Sequence, residues 1–463
     1  MPELLPSTQR TLLARVARAQ RDGRVPSLVA GVVRDGGLAW HTGRGALPGD
    51  AAPDDVQYRI GSITKTVCAI TVLRLRDEGR LDLDDRLDEH LPGTPLGDRT
   101  LGQLLAHLAG AGAESPGLWW ERTPGGSLEQ LKLSDDDRVL PAGRRFHYSN
   151  LGFGLLGELV ARARGRDWTE VARREVLLPL GMTRTSPRPQ APAAEGHAVH
   201  PWAELTLPEP EHDAGVMAPA GQLWCTARDL ARLGAFLLGD TGGVLSPATV
   251  EEMTLPAGID STSPIWAGYG LGVQVHRVDG ATLVGHGGSM PGFLAGLWVD
   301  REEGTGALAM GNTTAGMDSG LGAGLLADLR AAEPRIVDAW APEPSPVDPS
   351  LLGPWFWGPS PYVLRAVAGG MLHLGGLGRP GRSSRFRPGP DGAWIGLDGY
   401  FAGETLRIGD DHLWLATFVL TRTPYDPAAP VPGGVDGAGW RPELRPSGAP
   451  ESDTESRQSR TTH

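Results

Sequence analysis

Apolar residues at helical spacing over positions 6–21 predict an amphipathic helix, and directly after it the period changes. SLVAGVV (27–33) and GLAWHTG (37–43) read as two short strands joined at a glycine turn. Strand patterning returns much later: YGLGVQVH (269–276), ATLVGHG (281–287), FLAGLWVD (293–300) and GALAMGN (306–312) alternate with turn residues. Together these runs predict one antiparallel sheet built from both ends of a domain. From about 62 to 240 helical spacing dominates. One helix starts near Ser62 and stops at Glu78-Gly79, and another begins near Thr226, with Thr226 and Asp229 at the N-cap and N3 positions ahead of ARDLARLGAFLL. The expected fold is α/β in the broad sense (α+β), with an antiparallel sheet flanked by helices plus a helical lobe, over residues 1–335.

The Pro-rich stretch PEPSPVDPSLLGP (342–354) is too stiff for a helix and reads as a linker, placed at 336–354. Beyond it MLHLGG, AWIGLD, ETLRIG and HLWLATFVLTRT, broken by glycines, predict a small all-β domain over 355–426. Residues 427–463, rich in Pro, Gly, Ser and charge, are expected to be disordered. A length of 463 residues would admit about three domains, but the patterning predicts two.

Composition narrows the function classes. Hydrophobic residues at 40% and charged residues at 21% suit a globular chain. A formal charge of -12 argues against a nucleic-acid partner, which would demand a basic patch. Arg10, Arg15 and Arg18 interrupt the apolar positions of the first twenty residues, so no signal-peptide core is read and a cytoplasmic location is expected. No apolar run approaches the roughly 18 residues of a membrane span. Cys68 and Cys225 are too few and too far apart for a disulfide framework or a zinc site and read as small buried thiols. Of the 43 basic residues only Lys65 and Lys132 are lysines. Arginine stays protonated at any working pH, whereas a desolvated lysine can release its proton, which singles out position 65 as a candidate base.

Candidate chemistry begins in RIGSITKTVCAI, where Ser62 and Lys65 share one face at the head of a helix, one turn apart. Such a string alone also fits an ordinary capped helix. Serine is a weak nucleophile until a neighbouring base takes its proton, and a helix N-terminus favours developing negative charge. Two further runs support a catalytic reading: Tyr148-Ser149-Asn150 ahead of a helix, and His286-Gly287-Gly288 at the end of a strand. In this order the three motifs resemble those of the class C β-lactamase, low-molecular-weight penicillin-binding protein and related esterase family. The resemblance spans about residues 8–330 and includes the Leu-Leu-x-His-x-x-Gly run at 104–110 and the segment LWCTARDLARLGAFLL.

The resemblance implies a two-lobed β-lactamase/transpeptidase-like fold and an acyl-enzyme on Ser62. Lys65 and the Tyr148 phenol would manage the proton, with either able to be the base. Asn150 would orient Lys65 and the substrate, Ser149 would hold the loop, and the backbone N–H groups of Ser62 and Ser289 would form an oxyanion hole beside Gly287 and Gly288. His286 stands where many β-lactamases and transpeptidases carry lysine. A mostly neutral imidazole acting as a hydrogen-bond donor favours neutral substrates over β-lactams and D-Ala-D-Ala ends, so the resemblance implies a serine hydrolase that is an esterase or a D-amino-acid amidase or peptidase. No cofactor, metal, nucleic acid or membrane partner is implied, and the oligomeric state stays open.

Other readings compete. Gly152-x-Gly154-x-x-Gly157 matches a dinucleotide fingerprint, but no apolar strand precedes it, so it reads as glycines easing close helix packing. His197, His200 and His212 fit no standard ligand spacing and read as exposed loop histidines. The absence of a G-x-S-x-G elbow counts against an α/β-hydrolase. The alternatives are a β-lactamase or DD-carboxypeptidase and, in another class, a catalytically silent binding or scaffold protein with the same fold.

Overall fold

The computed structural model describes residues 4–336, 339–367, 369–378 and 381–424. Its chain divides into two units, Met1–Ile336 and Val337–His463. In the first, α1 (Pro6–Asp22) starts with proline in its first turn, where the missing N–H is not needed, and buries Leu12 and Val16. The chain then enters β1 (Ser27–Arg34) and β2 (Gly37–Gly45). After the helical segments it returns through β3 (Gly258–Ile259), β4 (Ala267–Tyr269), β5 (Gln274–Val278), β6 (Ala281–Met290), β7 (Phe293–Asp300) and β8 (Thr305–Gly311). These eight strands form one antiparallel sheet in the order β2-β1-β8-β7-β6-β5-β4-β3, so both ends of the unit share it as expected. The run 269–276 is not one strand. It breaks between β4 and β5, where the N–H groups of Leu271 and Gly272 turn to the carbonyls of Met253 and Leu105.

The sheet has two covered faces. On one, Leu283, Trp298 and Ala309 pack with Leu12 and Val16 of α1 and with Leu321, Leu325 and Leu329 of α5 (Leu321–Ala332). On the other, Val284, Ala295, Leu297 and Val299 meet the helical lobe built on α2 (Thr64–Asp77), α3 (Asn150–Arg164) and α4 (Ala227–Leu237). Thr226 caps α4 through the Asp229 N–H, at the expected position. Both cysteines are buried and free. Among the described residues no helix is long and apolar enough to cross a membrane.

The second unit is a closed antiparallel barrel of eight strands: β9 (Gly353–Trp357), β10 (Ser360–Val367), β11 (Met371–Gly376), β12 (Ser384–Pro388), β13 (Trp394–Gly396), β14 (Thr405–Ile408), β15 (His412–Leu415) and β16 (Phe418–Thr421). Three of its strands, β9, β10 and β12, lie outside the runs expected from the sequence; in the first two, Pro354 and Pro361 interrupt the alternation that marks a strand. Gly353 and Pro354, read as linker, open β9. The last run, 412–423, is two strands that turn at Ala416, whose φ is +52°. The expected disordered tail at 427–463 lies outside the described residues. Trp355 fills the barrel at 0% exposure, and the Arg422 guanidinium lies 3.8 Å from its ring centroid. Trp355→Ala should destabilise the barrel by about 3–5 kcal/mol, read as an earlier denaturant transition of the full-length chain.

Candidate active site

Strand β5 pairs with β6 only as far as Gly285, which leaves residues 286–290 with an unpaired edge. The turn Gly61–Ile63, immediately before α2, runs along that edge. Gly61 is required there on two counts: its φ is +52°, and a Cβ would come 2.4 Å from the Ser289 nitrogen. The chain thereby delivers Ser62 to the strand edge with Lys65 one turn behind it.

The Lys65 side chain is fully buried. Its Nζ lies 3.0 Å from Ser62 Oγ, 2.6 Å from Asn150 Oδ1 and 2.8 Å from the Ala220 carbonyl. Burial lowers its pKa to about 7, against the opposing pull of the Glu114 and Glu121 carboxylates. A neutral amine in this cage donates to the two carbonyl oxygens and keeps its lone pair for the Ser62 hydroxyl. Tyr148 has the reverse electrostatics: desolvation drives its phenol up, hydrogen bonding with Ser62 offsets only part of this, and the charges of Glu114 and Glu121 add to the rise. The phenol therefore keeps its proton at rest, whereas desolvation brings the Lys65 amine toward its neutral form.

Several groups that hold this arrangement carried no assignment from the motifs. The Asn150 amide donates to both oxygens of Glu114, at 2.8 and 2.9 Å, which fixes Oδ1 toward Lys65. Glu114 is itself held by the Trp120 indole N–H at 2.6 Å. His107, from the Leu-Leu-x-His run, accepts the Ser149 N–H at Nδ1 (3.0 Å) and lies against the Tyr148 ring with centroids 4.3 Å apart. Ser149 caps α3 through the Gly152 N–H and also donates to the Gly112 carbonyl, as its loop-holding assignment requires.

The unpaired strand edge also presents backbone N–H groups. Gly287 N–H points away from β7, to Gln274 Oε1 at 3.1 Å. Ser289, two residues on, therefore presents its N–H on the same edge, and the Ser62 N–H lies beside Gly288. The expectation for His286 needs correction. The ring is 1% exposed and both nitrogens are engaged within the protein: Nδ1–H donates to the Gly287 carbonyl at 2.5 Å, and Nε2 accepts the Tyr269 hydroxyl at 2.9 Å. Burial, and then the Lys65 charge, lower its pKa to about 3. His286 is thus a neutral brace for the strand and not a donor offered to substrate.

The fingerprint-like glycines serve packing. A Cβ at Gly157 would come 2.0 Å from the Pro219 ring, so this glycine lets the segment Ala218–Gly221 sit against α3 and aim the Ala220 carbonyl at Lys65. His197, His200 and His212 are half-buried, not exposed. His197 pairs in a short ladder with Pro208, and His212 bonds the Trp120 carbonyl. Among the described residues no group of three or more His, Cys, Asp or Glu side chains could hold a metal ion.

The family model described as Beta-lactamase matches residues 13–332, and a second, described as Domain of unknown function (DUF7586), matches 344–422. Among curated proteins, Beta-lactamase-like protein 2 of Dictyostelium discoideum is 27% identical over 52% of this chain and 47% of its own length. The chain thus spans about half of that relative. Penicillin-binding protein 4 of Amycolatopsis lactamdurans is 27% identical over 71% of the chain and 88% of its own length. A solved D-stereospecific amidohydrolase from Streptomyces sp. superposes with a TM-score of 0.58 at 28% identity, covering 71% of this chain and 98% of that one.

With two lysines in the chain, lysine-selective 13C labelling gives a resolvable spectrum. The ε-carbon signal that disappears in Lys65→Arg should titrate with a midpoint near pH 7. In Glu114→Gln that midpoint should move to lower pH, because a charge that favours the ammonium is gone. A midpoint above 9 would show that Lys65 is solvated.

Proposed function

Since the chain belongs to the beta-lactamase family, we propose that it is a serine hydrolase cleaving ester or amide bonds through an acyl-Ser62 intermediate. The observation that carries this reading is the 3.0 Å approach of a buried, desolvated lysine amine to the serine hydroxyl. In the proposed reaction neutral Lys65 takes the Ser62 proton as Oγ attacks the carbonyl carbon. The oxyanion rests between the N–H groups of Ser62 and Ser289. As the C–O or C–N bond breaks, the Tyr148 phenol protonates the leaving group and is reprotonated from Lys65. Water then enters by the reverse path to release the acid.

Charge supports substrates without a carboxylate. Among the described residues that line the cleft there is no arginine or lysine, and Asp318 at its rim is negative. Glu114 and Glu121 both act electrostatically on Lys65, so they also repel an incoming carboxylate and attract an ammonium. Neutral esters and D-aminoacyl amides fit this field better than β-lactams or peptides ending in a free D-alanine. The likeness to a D-stereospecific amidohydrolase agrees. A silent scaffold would bury the same amine, at an energetic penalty, for no chemical return.

Lys65→Arg should lose about a hundredfold to ten-thousandfold in kcat while the fold is kept, because arginine cannot give up its proton. Turnover at the wild-type rate would remove Lys65 from the proton path. In the wild type, kcat/KM should rise with pH through a midpoint near 7, since the base works only once deprotonated. Ser62→Ala should abolish both fluorophosphonate labelling and turnover of a panel of p-nitrophenyl esters, D-aminoacyl anilides and a chromogenic cephalosporin, with the cephalosporin the poorest wild-type substrate.

A further inference from the structure

The cavity holding Ser62 and Tyr148 has a volume of about 590 Å³ and continues past them onto the sheet face that lies opposite the helical lobe. Strand alternation defines this extension. Leu283, Gly287 and Ser289 of β6 point to one face together with their register partners His276, Gly296 and Leu294. The facing pair Gly287–Gly296 forms the threshold. A Cβ at 287 would meet only Gln274 Oε1, at 3.9 Å, and one at 296 only the Trp298 indole, at 3.5 Å, so both positions have room for a side chain and carry none. Beyond them the Trp298 and His276 rings lie against each other with centroids 4.4 Å apart and planes inclined at 33°, making an aromatic wall. Burial lowers the His276 pKa, so that wall is uncharged near neutral pH. Leu294, Val278 and Met317 line the rest, and the α5 side contributes Asp318 at the exposed rim, where its carboxylate accepts the Gly320 N–H.

We propose that this arm receives an apolar part of the substrate, a ring or hydrocarbon chain attached to the scissile ester or amide, and that Ser62 therefore prefers hydrophobic substrates. The occupant is inferred from continuity: the arm and the nucleophile share one cavity, so a group bound against Trp298 can be covalently joined to a carbonyl at Ser62. The identity of the occupant rests on the serine-hydrolase reading, whereas the apolar preference of the arm does not.

Two ester series test this, one lengthening the acyl chain from acetate to octanoate and one lengthening the alcohol. In the wild type, kcat/KM should climb in at least one series by about fourfold per methylene until the arm is filled. Gly296→Val places a β-branched side chain at a strand position and across the threshold. It should flatten that climb while leaving acetate hydrolysis within about twofold of wild type, and Gly296→Ala should give an intermediate slope. Flat wild-type series, or an unchanged slope in Gly296→Val with acetate hydrolysis retained, would overturn the proposal. A readout without turnover separates it from the catalytic reading: the neutral fluorophore N-phenyl-1-naphthylamine should bind the Ser62→Ala protein and lose at least tenfold in affinity when Gly296→Val is added. Equal binding by both proteins would overturn the apolar arm. Binding that responds to Gly296→Val in a protein whose wild type turns over no ester or amide would support the arm and remove the hydrolase reading.

Discussion

The ε-amine of Lys65 sits out of water among three oxygens, and the rest of the site is arranged around keeping it there. A solvated lysine at neutral pH is a cation and no base; only desolvation brings its pKa into the working range. Desolvation without acceptors would in turn leave buried N–H groups unpaired. Asn150 and the Ala220 carbonyl solve that problem, and the third direction is left to Ser62. Each of these partners comes from a different stretch of the lobe. The geometry therefore holds only when α2, α3 and the Ala218–Gly221 segment are packed together, which ties the pKa of one amine to the integrity of the lobe.

That dependence explains why apparently remote features matter. Gly157 touches no reacting group, yet the approach of Pro219 that it permits puts a carbonyl oxygen on Lys65. Glu114 acts at two levels: its oxygens prevent the Asn150 amide from flipping, and its charge partly offsets the effect of burial on Lys65. His107 positions Tyr148 by holding the next backbone N–H and by packing against the ring. On the opposite side, Tyr269 and His286 brace the strand whose edge runs beside Ser62.

Much of this was legible in the sequence, and for a physical reason: a helix fixes residues three apart on one face, so Ser62-x-x-Lys65 states its geometry locally. The strands of the main sheet were readable because they alternate and end at turn residues. What escaped depends on contacts made at long range or through the backbone. Glu114 meets Asn150 from 36 residues away, and a lone acid in a loop has no pattern to betray it. The Ala220 carbonyl is a main-chain atom that every residue type offers. His286 was expected at a strand end, but β6 runs on to Met290, and the engagement of its ring nitrogens depends on the fold bringing Tyr269 beside it. In the barrel, the prolines of β9 and β10 hid strands whose register is set by their neighbours.

The electrostatic character of the cleft constrains how it can gain affinity. With Lys65 committed behind Ser62 and His286 neutral, the described lining offers no cation with which to clamp an anionic group. Recognition must then come from shape, from backbone N–H groups and from apolar burial. The N–H groups act chiefly on the transition state, where charge develops on the carbonyl oxygen, so they contribute to rate more than to ground-state binding. Apolar contacts distant from the reacting bond lack that bias: they hold substrate and transition state alike and raise kcat/KM by lowering KM. A site built this way would discriminate among substrates mainly by the size and hydrophobicity of a side group, while Ser62, Lys65 and Tyr148 would carry the bond cleavage proposed above. On the proposed reading the two properties lie apart, the reacting groups between the helical lobe and the β6 edge and the apolar arm on the far face of the sheet. Substitution at Gly296 can thus alter one without displacing the other.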